Sequence, residues 1–301
     1  MAWLWIVFAI AGALAQTARN AAQRSLVAQA GTLGATLVRF LYGIPFAGLA
    51  VLLLQAMGSA PLPPFGAAYI GWLALGAIAQ LAATAFLLTA MKQRNFVCGV
   101  AYSKTDALQV ALFGSLFLGE LPGAMTFVAI ALATAGVVLL SVPPRGSAPA
   151  GAAAWTGAAA WWGLASGAAF ALSAVGYRGA ALQQPGLPAW LVGAWGVLLA
   201  QTLQTVLLGG WLALRAPAAL RATVTAWRIS LLAGFTGALA SVCWFTAFAL
   251  TTAANVRTLG MIEVVFSYLV SRRLLRERLR VAEHAGLGLV MVGLLCLGFR
   301  P

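Results

Sequence analysis

The sequence predicts an all-α integral membrane protein with ten transmembrane helices, arranged as two inverted five-helix repeats. Three observations carry that expectation. Of 301 residues, 62% are hydrophobic and only 8% charged, against about a quarter charged in a soluble domain. Apolar runs of roughly 20 residues recur from end to end, each long enough to cross a ~30 Å hydrocarbon core as a helix. In lipid such runs must satisfy their own backbone hydrogen bonds, which makes them helices rather than loops. The second half of the chain also repeats the first, with its loop charges reversed.

In order, the runs are 3–22, 32–56, 67–90, 97–119, 123–142, 154–178, 188–213, 229–252, 256–274 and 281–299. The first contains Ala13-Leu14-Ala15, which looks like a signal-peptide cleavage site. It lacks the basic region that precedes such signals, and it stays apolar through Ala18, Ala21 and Ala22, so it is read as a retained helix. After the fifth run comes SVPPRGSAPAGAAA, whose prolines end one helix and delay the next. The chain thus divides into a first repeat at 1–142, a linker at 143–153 and a second repeat at 154–301.

Shifting the sequence by 157 positions lays 86–141 on 243–298 without a gap. Thr89-Ala90 then falls on Thr246-Ala247, Leu112 on Leu269, Leu118 on Leu275, Glu120 on Glu277 and Gly136 on Gly293. Asp106 falls on Glu263, a telling coincidence in a chain with only five Asp and Glu. An odd number of helices per repeat makes the two halves enter the membrane from opposite sides. The loops agree. Lys92 and Arg94 follow the third run and no basic residue follows the fourth; in the second half only Arg257 follows the eighth, whereas SRRLLRERLR closes the ninth. Basic residues gather in the odd-numbered connections, which the positive-inside rule places in the cytoplasm, with both termini outside.

The net charge of +13 therefore reflects membrane topology rather than nucleic-acid binding, for which there is no basic domain or aromatic-interleaved patch. Cys98, Cys243 and Cys296 lack metal-ligand spacing and read as small buried residues. With His284 as the single histidine, metal or triad chemistry has almost no material, and no cofactor is expected.

Against this background the stretch AYSKTDALQVALFGSLFLGE, a polar helix start leading to an apolar run that ends in Gly119-Glu120, resembles the drug/metabolite transporter superfamily in its EamA-type branch. The ten-span, five-plus-five plan resembles it too, over essentially the whole chain. Where the family often has a proline in this helix, this chain has Thr105-Asp106. Family members commonly keep both termini in the cytoplasm, opposite to the placement that the loop charges give here. The resemblance implies export of amino acids and related metabolites, or of drugs, with nucleotide-sugar transport in sister branches.

Asp106 lies about ten residues into its run and Glu263 about eight into its own, near mid-depth at 1.5 Å per residue. An acid there must face the bundle interior or water. Either each meets a substrate ammonium or relays protons, or it pairs with a buried base and clamps helices. Lys104 points to a different helix face from Asp106. Arg19 and Arg39 either snorkel to the membrane surface or meet a substrate carboxylate, and Arg257 is expected at headgroups. Polar stripes at helical spacing run through Tyr102, Ser103, Asp106 and Gln109; Gln16 and Asn20; Gln80 and Thr84; and Ser166, Phe170, Ser173 and Tyr177. They line a cavity or bond to neighbouring helices. Trp244 sits deep in its span, as cavity wall or as packing. Gly12, Gly76, Gly136, Gly163, Gly167, Gly237 and Gly293 are candidates for close helix contact.

The candidate substrate-binding set is therefore Gln16, Asn20, Gln80, Tyr102, Ser103, Asp106, Ser173, Tyr177, Trp244 and Glu263. The leading expectation is a monomeric secondary transporter in the inner membrane, exporting a small molecule by alternating access. No GxxxxGK[ST] occurs, so direct ATP use is unsupported. Protons are the coupling ion if Asp106 or Glu263 is protonated and released per cycle. The competitors are a multidrug or nucleotide-sugar-type carrier and a membrane enzyme acting on lipid-linked substrates, which the dispersed acids disfavour. A channel lacks any filter sequence. On the charge-derived topology, alkaline phosphatase fused after Pro301 is active; an inactive fusion reverses the orientation.

Overall fold

The computed structural model describes residues 3–58, 61–93, 103–141, 157–273 and 281–298. All regular structure among them is helical: α1 Leu4–Leu41, α2 Ile44–Met57, α3 Ala67–Gln93, α4 Asp106–Leu118, α5 Ala124–Ser141, α6 Ala158–Leu182, α7 Ala189–Arg215, α8 Pro217–Thr225, α9 Trp227–Leu250, α10 Ala253–Leu259, α11 Ile262–Arg273 and α12 Val281–Gly298. Six helical stretches among the described residues are long and apolar enough to cross a membrane, the first of them Leu4–Met57. At 54 residues that stretch has more than twice the ~20 that one crossing needs. Leu52, Leu116, Phe117, Trp161 and Val206 are more than half exposed, a surface that calls for lipid rather than water as solvent. The protein is multi-pass.

Three of the expected runs are interrupted, and each break has a local cause. Gly31, at φ 68°, leaves helical geometry inside α1, a left-handed conformation that glycine adopts without strain. Gln23 Nε2 donates to the Ala35 carbonyl at 2.7 Å across this point. Twelve residues of straight helix would separate them by about 18 Å, so the chain turns back on itself at Gly31. The run expected at 32–56 is thus the last part of α1 plus α2, with a turn at Tyr42-Gly43. In the described part of the fourth run, a turn at Lys104-Thr105 precedes the 13-residue α4, which Gly119 stops at φ 67° in a left-handed cap. The ninth is split into α10 and α11 by a turn at Gly260-Met261.

The chain forms two compact units that do not follow the sequence halves. The first comprises 1–81 and 172–252, the second 82–171 and 253–301. Compactness and repetition are separate properties, and α3 and α6 each contribute to both units. Within the first unit α1 packs along α9, and α7 packs against α2 and α9. Leu37 of α1 joins Leu208 and Leu212 of α7 in a buried cluster. Lipid tails are as apolar as these side chains, so close packing rather than water exclusion holds helices together.

The second unit shows such packing at its tightest. A Cβ on Gly136 of α5 would lie 2.5 Å from the Gly286 carbonyl oxygen and 2.8 Å from the Val290 nitrogen of α12. A Cβ on Gly293 of α12 would lie 2.9 Å from the Ala129 oxygen and the Ala133 nitrogen of α5. These are the two glycines that coincide when the sequence is shifted, and each is pressed against the other's helix. The contacts run in opposite order along the two helices, so α5 and α12 are antiparallel. Gly136→Ala and Gly293→Ala should each cost about 1–3 kcal/mol through backbone displacement. Gly48→Ala, at a position with open space around it, should fall within roughly ±0.5 kcal/mol. Thermal unfolding of purified protein in detergent reads the difference.

Candidate functional site

In the second unit, the residues around the two helix breaks form crossed ion pairs. Lys104 and Thr105 make a turn that leads into α4, whose first residue is Asp106. The corresponding turn at Gly260-Met261 leads into α11, with Glu263 in its first turn. Breaks thus recur at nearly equivalent places in the two halves, and each delivers an acid to a helix N-terminus, where the peptide dipoles favour negative charge. Arg257, in the last turn of α10, donates through Nη2 to Asp106 Oδ2. Lys104 Nζ pairs with Glu263 Oε2. Each base belongs to one half and its acid to the other.

All four charges are buried, with Asp106 0%, Glu263 1%, Lys104 3% and Arg257 6% exposed. Burying an ion costs several kcal/mol unless geometry and further bonds compensate. The Phe170 ring lies under the Arg257 guanidinium, 5.2 Å from centroid to Cζ, which adds a cation–π contact. Gly167 of α6 lets the break approach closely: a Cβ there would lie 2.8 Å from Thr105 Oγ1. Glu120 Oε2 accepts from the Ala253 amide at 3.4 Å and so caps α10, while Thr126 Oγ1 donates to Asn255 Oδ1 at 3.0 Å. Asp106 Oδ1 is buried with no hydrogen-bond partner among the described residues.

The first unit gathers a different set. Tyr177 donates to Gln80 Oε1 at 2.9 Å, and Gln204 Nε2 reaches Gln80 Oε1 at 3.0 Å, Tyr177 Oη at 3.3 Å and the Ala77 carbonyl at 2.8 Å. Ser173 also bonds to Tyr177, and Arg39 is within electrostatic reach of it. The Tyr177 ring packs on Phe245 with centroids 3.9 Å apart. Trp244 Nε1 donates to Gln16 Oε1 at 3.0 Å, and its ring rests against Gly12. Arg19 donates twice to Asn20 Oδ1, at 3.2 Å from Nε and 2.7 Å from Nη2.

The expected residues therefore fall into separate groups. Gln16 joins Trp244; Gln80, Ser173 and Tyr177 join one network; Asn20 holds Arg19; Asp106 and Glu263 are each ion-paired. Ser103 is buried just before the turn that leads into α4, and Tyr102 lies outside the described residues. Two expectations are corrected. Arg257 does not reach headgroups but is buried against Asp106. Arg19 and Arg39 do not snorkel, being 0% and 1% exposed; the chain reversal at Gly31 folds both arms of α1 inward. Gln204 was missed, although a glutamine in the apolar α7 run was the signal that could have found it.

Apolar helical spans enclosing buried, paired charges define a polytopic membrane protein. Residues 157–299 match the EamA-like transporter family, part of the drug/metabolite transporter superfamily, so the second half of the chain is EamA-like. A solved structure, titled only as the crystal structure of a protein, superposes with a TM-score of 0.68 at 17% identity, covering 97% of this chain and 94% of that one. At that identity the likeness concerns the fold alone. No curated protein matches the sequence.

The crossed pairs predict a specific stability pattern. Asp106→Asn or Arg257→Gln alone leaves a buried charge without its counter-charge and should cost roughly 3–5 kcal/mol. The double variant should cost clearly less than the two single losses together. Additive losses in thermal unfolding would mean that the pair contributes no coupling.

Proposed function

We propose that the protein is a secondary transporter that exports amino acids or related small metabolites by alternating access, without direct ATP use. The observation that carries this reading is the placement of Asp106 and Glu263 at interrupted helices, at matching positions of a duplicated sequence. Transporters with inverted repeats use such helix breaks at mid-depth to meet substrates and ions. The antiparallel course of α5 and α12 supports opposed insertion of repeats 1–142 and 154–301, and with it the ten-span plan. The EamA-like match of residues 157–299 supports transport over catalysis.

On this reading the ion pairs are the exchangeable parts. Asp106 has one oxygen on Arg257 and a second without a hydrogen bond among the described residues. A substrate ammonium takes the second oxygen and loosens the first pair. Carboxylates released from their bases then recapture them once the substrate has left. The same exchange works with a proton in place of the ammonium, which would couple export to the proton gradient. Ser103, Gln16, Asn20, Gln80, Ser173, Tyr177 and Trp244 remain the candidate polar lining.

Counterflow of labelled amino acids into proteoliposomes tests the reading. Wild type should accumulate label against a preloaded solute, and Asp106→Asn should lose about tenfold or more of that rate while inserting normally, as expected for a lost charged contact. Reversing the pair, as Asp106→Arg with Arg257→Asp, should recover stability but not counterflow. Full recovery of both would make the pair a clamp and remove its role in recognition.

A further inference from the structure

We infer that the first unit holds one acyl chain of a bilayer glycerophospholipid in a groove between α2 and α9, with Thr246 donating to the lipid ester at the wide end. This site is independent of the transport reading above.

Two cavities of the first unit share Val242 as a wall. One, of about 210 Å³, is lined by α2 and α9 alone. The other, of about 530 Å³, adds Phe8 of α1 and the start of α7. Along α2 the lining passes through Phe46, Ala50, Leu53 and Met57, and along α9 through Phe235, Ala238, Val242 and Thr246. Each series steps by three or four residues, so each is one helix face, and the two faces advance in the same direction. Phe46 and Phe235 close the narrow end edge to face, with ring centroids 5.2 Å apart. Ala50 and Ala238 keep the middle open, because neither side chain reaches across. The wide end lies at the helix ends: Met57 is the last residue of α2, and Leu191 is in the first turn of α7.

Length and surroundings select the occupant. Eleven residues separate Phe46 from Met57, a rise of about 16 Å, against ~15 Å for half of a ~30 Å hydrocarbon core. The groove therefore has the depth of one leaflet, which the acyl chains of that leaflet fill. A helix from a second copy would cross both leaflets and meet the closed aromatic end halfway. The rim continues the lipid-facing surface: Leu49 and Leu53 are more than half exposed and Leu239 nearly so. Trp190, at the wide end and 45% exposed, has the placement of an interfacial tryptophan.

Thr246 supplies the polar contact. Thr17, Thr36, Thr236 and Thr258 each donate to the carbonyl four residues earlier in their own helix, the common resort of a helical threonine. Thr246 is fully buried, and its hydroxyl has no hydrogen bond among the described residues. Gly193 of α7 makes room for it, since a Cβ there would lie 2.5 Å from Thr246 Oγ1. A hydroxyl left unpaired among hydrocarbon is costly. Thr246 stands four residues from the end of α9, about 6 Å along the axis, near the level where glycerol esters meet the acyl chains. An ester carbonyl of a lipid seated in the groove is the acceptor it lacks.

Native mass spectrometry of the full chain, delipidated in detergent and titrated with dioleoyl phosphatidylcholine, tests the site. Wild type should take up one lipid saturably, and should bind the dialkyl ether analogue, which has no ester carbonyl, about threefold to tenfold more weakly. Thr246→Val should bind the ester lipid as weakly as wild type binds the ether, and should no longer tell the two apart. Ala50→Phe, which fills the groove, should weaken saturable binding by about tenfold or more. Val206→Phe, at an exposed position of α7 outside the groove, should leave it unchanged. Unsaturable uptake shared by all variants overturns the site, as does equal binding of ester and ether lipid by wild type. A lipid-free dimer broken by Ala50→Phe would assign the groove to a second copy instead. Should Ala50→Phe not fold, the ester-to-ether ratios of wild type and Thr246→Val decide by themselves.

Discussion

A charge buried in a medium of hydrocarbon and packed helix must be answered by another charge, and in the second unit the answer comes from the opposite half of the chain. Lys104 reaches Glu263 and Arg257 reaches Asp106. Much of the local architecture serves these two contacts. The breaks before α4 and α11 bring the acids to helix starts, Gly167 admits the break against α6, and Phe170 supports the guanidinium from beneath. Uninterrupted helices would carry the same residues on fixed faces, with no backbone turn to aim them.

The two units handle charge in contrasting ways. The second balances its buried bases internally and so can be stable in the absence of any solute. In the first, the described contacts of the buried arginines include the Asn20 amide, the Phe40 ring and the Tyr177 hydroxyl. Its polar network through Gln80, Tyr177 and Gln204 is built from uncharged side chains. Glycines at close contacts, such as Gly136 with Gly293, allow helices to approach without side chains that would lock them.

Much of this was legible in the sequence, and the limits have physical reasons. Apolar run lengths located the helices, because bilayer thickness constrains them directly. The shift of 157 positions found both buried acids and the glycine pair of α5 and α12, since the positions it aligns share an environment in the fold: two acids in the first turns of helices and two glycines at one close helix contact. The bases escaped it. Under the same shift Lys104 falls on Met261 and Arg257 on Val100, so the pairs are reciprocal in space but not in register, and alignment is blind to them. For Arg19 and Arg39 the sequence left surface snorkelling and contact with a substrate carboxylate both open, for another reason. Their depth depends on the reversal at Gly31, and a lone glycine in a small-residue stretch gives little sign of a positive φ. Polar stripes identified residues that bond to neighbouring helices but not which neighbour each one chooses.

The crossed pairs also bear on how the molecule is made. Arg257 and Asp106 are 151 residues apart in the chain, and the partner of Lys104 is comparably distant. A nascent chain that has inserted only its first five helices holds Lys104 and Asp106 in the bilayer before either eventual partner has been translated. That half must be tolerated as an open intermediate, sheltered by the insertion machinery or by water, until the ribosome delivers α10 and α11. The fold therefore closes late, and its completion is signalled by electrostatic pairing rather than by the threading of any single helix.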